Sequence, residues 1–358
     1  MAGLFDPLQL GDIALANRVI MAPMTRSRAS ADAVPTPIMV EYYRQRASAG
    51  LIVSEGIAPS RHGIGYCRTP GIYNDAQVAV WRQVTDAVHA AGGRIVAQLM
   101  HCGRVGSHFN KAPDAETVAP SAVRAAGSIF TDVAGMQEQD MPRALALGEI
   151  PDVVGEYATA TRLAIHAGFD GVELHCTSGY LPMQFMATNS NLRTDGYGGS
   201  AQNRVRFVIE TLEAMTQEAR GRVGMRICPG NPFNDVLDPD PAATYQALLS
   251  GSAGLQLAYL HVIRSPLRSL DAFALAREHF GGALILNDGF DGARASKALA
   301  EGRGAAVSFA RHYIGNPDLV HRLREGLPLA AFDPKSLYTP GQAGYTDYPR
   351  ADTATAPS

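Results

Sequence analysis

Eight short apolar runs alternate with eight helical patterns along this chain, and no linker separates them. Apolar runs bounded by turn residues are typical of strands that are buried on both faces. The predicted strands are Val19–Thr25, Leu51–Gly56, Ile95–Met100, Gly171–His175, Val223–Cys228, Leu257–Val262, Ala283–Leu286 and Ala305–Phe309. The predicted helices are Val40–Ala49, Asp75–Ala91, Asp152–Ala167, Gln202–Ala219, Pro241–Leu249, Leu270–Phe280, Gly292–Ala300 and Pro317–Arg324. Eight such units predict an α/β protein with a single closed (β/α)8 TIM barrel, and an open doubly wound sheet is the alternative.

Three segments lie outside this alternation. Leu4 to Asn17 carries Pro7 and Gly11-Asp12 between short apolar pieces, which predicts an N-terminal β-hairpin. Residues 102–148 follow the third strand and are too long for an ordinary strand-to-helix loop, so we expect an insertion that lies over the active face as a lid. The prediction is one domain over residues 1–350, with a flexible tail at 351–358.

Charge and cysteine usage exclude several classes of function. The 31 basic and 34 acidic residues give a net charge of -3 without charge blocks, which argues against nucleic-acid or anionic-membrane partners. No apolar run approaches the roughly 20 residues of a membrane span, and no signal peptide is recognisable. The four cysteines have no paired spacing, and no metal-ligand constellation is visible. We expect a cytoplasmic monomer or homodimer that acts on a small molecule.

The active site of such a barrel lies at the carboxyl ends of its strands. The residues expected there include Thr25, Gly56, Gln98, Arg226 and the stretch His175–Tyr180. One arginine, one glutamine, a threonine and a tyrosine that share a volume suit a flat, polar-edged, partly anionic ligand. A hydrolytic triad would need a different set of side chains.

From Leu4 to Pro349 the chain resembles the Old Yellow Enzyme family of FMN-dependent ene-reductases. The motifs that carry the resemblance are NRVIMAPMTR at 17–26, EYYRQRASAGLI at 41–52, GRI and QL within 93–99, AGFD and VELH within 167–175, residues 191–199, NPDL at 316–319 and GYTDYP at 344–349. Their order along the chain makes the resemblance specific.

The resemblance implies FMN bound non-covalently at the barrel mouth, with NAD(P)H as its reductant. An activated alkene, such as an α,β-unsaturated carbonyl compound or a nitroalkene, would then accept the hydride. The positions that match the family's cofactor pattern are Pro23, Met24 and Thr25 along the flavin, Gly56 and Gln98 at its pyrimidine side, Arg226 by N1 and O2, and Asp288, Gly289, Ala310 and Arg311 at the phosphate.

The resemblance also implies the residues of the reaction itself. His175 matches the donor to the substrate carbonyl oxygen, Ser178 holds the position of a second donor, and Tyr180 matches the proton donor. A phenol keeps its proton at pH 7 because its ordinary pKa is about 10. The positions that match the substrate pocket are Tyr66, Met100 and Tyr338.

The chain departs from the family's pattern at four positions. Ser178 stands where histidine or asparagine is usual, Met100 where tryptophan is usual, and Ala310 where glycine is usual, while Asp288 displaces a glycine by one residue. Ser178 and Met100 support an alternative substrate scope: a nitro compound, a bulky biosynthetic intermediate, or the reverse desaturation. Asp288 and Ala310 support a second alternative, a barrel that has lost flavin and only binds ligands. Arg226 could also pair with Glu173 instead of a cofactor.

Overall fold

The computed structural model describes residues 2–351, in which strands and helices alternate as the sequence predicts. The strands are β1 (Leu8–Leu10), β2 (Ile13–Leu15), β3 (Val19–Met21), β4 (Leu51–Ile57), β5 (Ile95–Leu99), β6 (Val118–Ala119), β7 (Ser128–Thr131), β8 (Gly135–Glu138), β9 (Arg143–Ala144), β10 (Gly171–Cys176), β11 (Val223–Ile227), β12 (Tyr259–Ile263), β13 (Leu284–Asn287) and β14 (Ala306–Phe309). The α-helices are α1 (Pro37–Gln45), α2 (Asp75–Ala90), α3 (Ile150–His166), α4 (Leu181–Met186), α5 (Ala201–Glu218), α6 (Pro241–Ser252), α7 (Ala272–His279), α8 (Gly292–Ala300), α9 (Arg311–Gly315) and α10 (Leu319–Glu325).

Eight parallel strands close into a barrel in the order β3, β4, β5, β10, β11, β12, β13 and β14, with β14 paired back to β3. The predicted (β/α)8 barrel is confirmed, and the open sheet is excluded. The predicted hairpin is also confirmed, because β1 and β2 pair antiparallel. Its side chains Leu10 and Ile13 pack with Ile20 and Val96, so the hairpin closes the amino end of the barrel.

Alternation along each strand separates the outer core from the barrel interior. On β10, Val172 and Leu174 pack into the large core cluster that contains side chains of the surrounding helices, such as Tyr157. Glu173 and His175 alternate with them and are also buried. Polar side chains therefore occupy the interior of the barrel toward its carboxyl end, while apolar ones fill the amino end.

Some element boundaries differ from the predicted ones. Strand β3 ends at Met21 and not at Thr25, because Pro23 has no N–H to donate to a ladder. Helix α1 begins at Pro37, a residue that suits the first helical position, and not at Val40. The last predicted helix begins at Leu319 and not at Pro317, and the short helix α9 precedes it.

The insertion after β5 contains a parallel pair, β6 with β9, and an antiparallel hairpin, β7 with β8. Its residues Ser128, Ile129 and Phe130 line a cavity at the carboxyl mouth of the barrel, together with Tyr180. Of the predicted tail only Ala351 falls within the described residues. None of the helices between residues 2 and 351 combines the length and apolar character that a membrane crossing requires.

Candidate active site

A buried polar relay forms the floor of the site. Glu173 on β10 accepts from the Gln98 side-chain nitrogen on β5 at 2.8 Å and contacts His261 Nδ1 on β12 at 2.9 Å. The second ring nitrogen of His261 lies 2.7 Å from the Ser308 hydroxyl on β14. Because all four side chains are buried and hydrogen-bonded, each one restrains the orientation of the next.

The charges of the relay determine the direction of its hydrogen bonds. Burial lowers the pKa of His261 to about 4, so its ring is neutral at pH 7. Burial alone would raise the pKa of Glu173, but the hydrogen bonds from His261 and Gln98 and the attraction to Arg226 bring it below its ordinary value. An ionised carboxylate only accepts, so His261 Nδ1 donates to Glu173 and its other nitrogen accepts from Ser308. Sequence reasoning missed His261 and Ser308, although both are polar residues on otherwise apolar strands.

His175 and Arg226 are register partners on β10 and β11, just above this floor. One Arg226 nitrogen, Nη2, donates to Asn287 Oδ1 at 2.8 Å. Its Nη1 and the His175 Nδ1 are buried without a hydrogen-bond partner among residues 2–351. The expected alternative pairing of Arg226 with Glu173 does not occur as a direct contact, since Gln98 and His261 take both Glu173 oxygens.

Burial, with a smaller contribution from the neighbouring Arg226, lowers the pKa of His175 to about 3. The imidazole is therefore neutral at physiological pH and can donate one hydrogen bond. Its ring meets the Tyr180 ring edge to face at 4.8 Å between centroids. The two residues of the VELHCTSGY stretch that sequence reasoning ranked highest thus lie together.

Tyr180 lies at the wall of a cavity of about 600 Å³ at the barrel mouth. Its hydroxyl lies 3.2 Å from the hydroxyl of Tyr66, and Asn234 approaches that second hydroxyl at 3.5 Å. Burial, and then the proximity of Tyr66, raises the pKa of Tyr180 well above 10. Of the predicted pocket residues, Tyr66 and Tyr338 line the cavity, and Met100 packs beside it against Tyr180.

Ser178 adopts the left-handed backbone conformation, with φ +58, and is only half-buried. Its carbonyl accepts from the Asn234 side chain at 2.8 Å. Ser178 is not among the residues that line the 600 Å³ cavity. Its contact with a substrate stays a prediction, and Asn234 is a neighbour that sequence reasoning missed.

The predicted cofactor residues lie around the same mouth. Pro23, Met24 and Thr25 follow β3 and are half-buried, and Thr25 lines the cavity. Gly56 pairs with Gln98 in the ladder between β4 and β5. A Cβ at Gly56 would lie 2.5 Å from the Met100 sulfur, so the Met100 side chain packs directly against this glycine.

The predicted phosphate residues lie past the ends of β13 and β14. Asp288 and Gly289 follow β13 with φ +76 and +78, and both are exposed. Ala310 and Arg311 follow β14, and the Arg311 side chain is exposed. Arg264, which sequence reasoning missed, stacks over Phe290 and approaches Gly289. Two exposed arginines, Arg264 and Arg311, therefore lie on this rim together with the exposed carboxylate of Asp288.

The C-terminal segment that carries Tyr338 is held by two arginines from the segment after β3. Arg28 donates to the carbonyl of Leu337 at 2.7 Å, and Arg26 donates to that of Gly344 at 2.7 Å. Tyr345 stacks between this pair and the Tyr42 ring. Sequence reasoning had noted Arg26 only as part of a motif and had not connected it to Tyr338.

These features fit a planar, anionic cofactor. A buried guanidinium nitrogen without a partner requires an acceptor, because buried donors are nearly always hydrogen-bonded. Gln98, which pairs with Gly56 in the ladder between β4 and β5, presents a restrained amide at the same mouth. Within residues 2–351 no cluster of His, Cys, Asp or Glu side chains would hold a metal ion. Fold and site together define a barrel enzyme whose mouth suits a planar, anionic organic cofactor.

Comparisons with known proteins agree with this class. Residues 3–330 match the NADH:flavin oxidoreductase / NADH oxidase family. A probable flavin mononucleotide-dependent alkene reductase of Leishmania infantum is 44% identical over 356 residues, covering 97% of each chain. A structure of morphinone reductase in complex with tetrahydroNAD superposes with a TM-score of 0.94 at 42% identity over 100% of both chains. An old yellow enzyme homologue from Zymomonas mobilis superposes at 0.93 with 39% identity, over 97% of this chain and 99% of that one.

The chain therefore belongs to the NADH:flavin oxidoreductase / NADH oxidase family, the Old Yellow Enzyme family. It is an FMN-dependent oxidoreductase that reduces activated alkenes and takes its electrons from a nicotinamide. This assignment disfavours the flavin-free barrel. The roles of individual residues remain predictions.

Proposed function

We propose that His175 and Tyr180 carry out the reduction of an alkene conjugated to a carbonyl or nitro group. The observation that supports this most is the pair of rings in edge-to-face contact at the cavity wall, with one His175 nitrogen unpartnered. A hydrogen-bond donor and a proton donor, both on one side of a cavity, are the two groups that such a reduction requires from the protein.

His175 binds the substrate oxygen in this proposal. Negative charge develops on that oxygen during the reaction, and a donor held in a water-poor site stabilises it more than water does. The imidazole is neutral because burial lowers its pKa to about 3, so it stabilises charge by donation and transfers no proton of its own. Arg226 is the register partner of His175 on the neighbouring strand. Its guanidinium adds a positive charge, because arginine stays protonated in proteins.

Tyr180 protonates the α-carbon. Its hydroxyl must carry a proton at the working pH, and the burial that raises its pKa well above 10 ensures this. A positioned general acid of this kind contributes roughly 10²- to 10⁴-fold to a rate. Tyr66, 3.2 Å away, can donate a hydrogen bond to the phenolate that remains.

When bound, FMN supplies the hydride that its N5 delivers to the β-carbon. Thr25, Gly56 and Gln98 would hold the ring, and Arg226 would lie where the reduced ring carries negative charge. The exposed rim residues, among them Arg311, would bind the phosphate. Asp288 is exposed and has room to turn away from it.

A second candidate is the same chemistry on a bulky substrate. The exposed aromatic side chains Phe130, Phe233 and Tyr338 line the cavity and offer a wide apolar surface to a large ligand. Met100 in place of an aromatic residue, and Ser178 in place of a longer donor, also favour a large ligand. Comparing kcat/KM for 2-cyclohexenone with that for a polycyclic enone separates the two candidates.

The decisive experiment on the main proposal has two stages. The purified protein should show a flavin absorption band that NADPH bleaches under anaerobic conditions, and 2-cyclohexenone should restore the band. If Tyr180→Phe is still bleached by NADPH but is no longer re-oxidised by 2-cyclohexenone, the result supports Tyr180 as the proton donor. A wild-type protein that is reduced by NADPH and re-oxidised by no enone or nitroalkene contradicts the proposal.

A further inference from the structure

Two consecutive residues other than glycine adopt the left-handed conformation in the loop between β11 and α6. Asn234 has φ +60 and Asp235 has φ +59. A left-handed residue other than glycine is uncommon, and two in succession are held only where the surroundings over-determine them. Such outliers cluster at functional sites, so the contacts of this loop indicate what it does.

The loop is anchored from its outer side. The Arg104 side chain, which is not exposed at all, reaches the carboxylate of Asp235 at 3.3 Å and also donates to the carbonyl of Asp235. Asn189 donates to the same carbonyl at 2.7 Å. The backbone nitrogen of Ala126, in the insertion, donates to the Asp235 carboxylate at 3.1 Å. These contacts all go to Asp235 and leave the Asn234 side chain free to point inward.

The Asn234 side chain faces the reaction site. Its amide nitrogen donates to the Ser178 carbonyl at 2.8 Å and lies 3.5 Å from the Tyr66 hydroxyl, and the residue lines the cavity. The contact with the turn after β10 is close, since a Cβ on Gly179 would lie 2.7 Å from the Asn234 Cβ. The Asn234 amide therefore contacts both the turn that leads to Tyr180 and Tyr66, whose hydroxyl is hydrogen-bonded to that of Tyr180.

We infer that Asn234 is a positioning residue for the protonation step, acting on Tyr180 through Tyr66. This inference rests on the proposed role of Tyr180. A tyrosine hydroxyl has one hydrogen, and its oxygen also accepts. The Tyr66 oxygen accepts from the Tyr180 hydroxyl at 3.2 Å and is approached by the Asn234 amide at 3.5 Å. Asn234 therefore holds Tyr66 in place, and Tyr66 in turn fixes the position of the Tyr180 hydroxyl from which the proton passes to the substrate.

The proton balance follows from these contacts. The O–H bond of Tyr180 breaks as the new C–H bond forms at the α-carbon, and the electron pair stays on the phenolate oxygen. Tyr66 donates a hydrogen bond to that oxygen, and a proton from water in the open cavity later restores the phenol. Burial raises the pKa of Tyr66 to about 12, so Tyr66 keeps its own hydrogen throughout.

Two variants of the holoenzyme test the inference. Asn234→Gly removes the amide and also relieves the left-handed backbone, while Asn234→Asp keeps the shape and tolerates this conformation but offers no N–H donor. We expect both to slow re-oxidation by 2-cyclohexenone by about tenfold, the size of one net hydrogen bond of about 1.4 kcal/mol, and to raise the solvent isotope effect on that step. Reduction by NADPH should stay within twofold of wild type, and the Tm of Asn234→Gly should not fall.

Asn189→Ala is the matched control, because it loosens the same loop without contact to Tyr66. It should leave both half-reactions within twofold of wild type. The inference is overturned if Asn234→Gly re-oxidises at the wild-type rate, if both half-reactions slow equally, or if Asn189→Ala slows re-oxidation as much. Tyr180→Phe in the same assay separates the inference about Asn234 from the proposed role of Tyr180 as proton donor. If it slows re-oxidation while Asn234→Gly does not, only the inference fails; if it has no effect, the proposed role of Tyr180 fails and the inference fails with it.

Discussion

The side-chain nitrogen of Gln98 lies 2.8 Å from a carboxylate oxygen of Glu173, and both residues are buried. Because the carboxylate only accepts, this contact turns the Gln98 amide so that its nitrogen faces Glu173. The charge of Glu173 also acts on Arg226, whose pKa burial lowers and Glu173 raises. One buried carboxylate thus acts on two residues at the pyrimidine side of the predicted flavin.

Glu173→Gln should weaken FMN binding by about tenfold, since the Gln98 amide loses its fixed orientation and a typical net hydrogen bond is about 1 kcal/mol. The flavin reduction potential should rise, because Arg226 loses its nearby negative charge. Fluorescence titration of the apoprotein with FMN and a redox titration measure the two effects. Ser308→Ala removes only the far end of the relay and should change FMN affinity less. Equal losses in the two variants would contradict the special role of the carboxylate.

Tyr180→Phe should slow re-oxidation by 2-cyclohexenone by roughly 10²- to 10⁴-fold, the usual contribution of a general acid. Reduction by NADPH should be unaffected, since it needs no proton from this phenol. Stopped-flow absorbance at the flavin band follows each half-reaction separately. A variant that loses both in parallel would show that Tyr180 shapes the site without donating the proton.

The re-oxidation rate of the wild type should be flat between about pH 5 and pH 9. Burial lowers the pKa of His175 to about 3, so this ring is already neutral at pH 5 and stays so. The pKa of Tyr180 is raised well above 10, so the phenol is still protonated at pH 9. An inflection inside this range that disappears in His175→Asn or Tyr180→Phe would contradict these protonation states.

Ser178→Asn should raise turnover of small enones and should not reduce stability. Ser178 has φ +58, a conformation that asparagine adopts more readily than serine, and the longer amide restores a donor near the substrate oxygen. We expect a gain of several-fold in kcat/KM for 2-cyclohexenone. Ser178→Gly relieves the same backbone without adding a donor. If both variants give the same gain, backbone strain and not the missing donor limits the enzyme.

The barrel could be predicted from the sequence because its strands are buried on both faces and are therefore apolar at most positions. The same apolar character of the strands made the buried relay of Gln98, Glu173, His261 and Ser308 difficult to predict. His261 and Ser308 are single polar residues within apolar strands, and only the closed register brings them to the level of Glu173. Alternation within each strand indicates that such residues face the barrel interior. It does not show which strands bring their interior side chains into contact with one another.

The loop residues were harder to predict for a different reason. Asn234 and Asp235 form a dipeptide that tolerates the left-handed conformation, which is a local signal of a tight turn. Their anchor, Arg104, is 130 residues away and belongs to the insertion, whose short strands have no apolar period. Contacts between two irregular segments leave no periodic pattern in the sequence of either segment. The contacts of Arg104 with this loop could therefore be found only in the structure.

Glu55 on β4 gives a prediction about stability. It is 1% exposed, its Oε1 accepts from the Tyr43 hydroxyl at 3.3 Å, and its Oε2 has no side-chain hydrogen-bond partner among residues 2–351. Burial raises the pKa of Glu55 to about 7, against an opposing effect of Arg26. Because the folded-state pKa lies above the unfolded one, the contribution of Glu55 to stability is complete below about pH 4.5 and is lost as the pH rises through about 7.

Glu55→Gln removes this titration, so the variant should be more stable than wild type at pH 8, by on the order of 2 kcal/mol, and about equal to it near pH 5. Urea unfolding of the apoprotein at both pH values measures the difference, and a constant m-value checks that the unfolded state is comparable. Glu213→Gln, on the exposed face of α5, is the control and should not change the pH dependence. A Glu55→Gln protein that is less stable at pH 8 would mean that the ionised carboxylate and Arg26 stabilise each other by more than the burial costs.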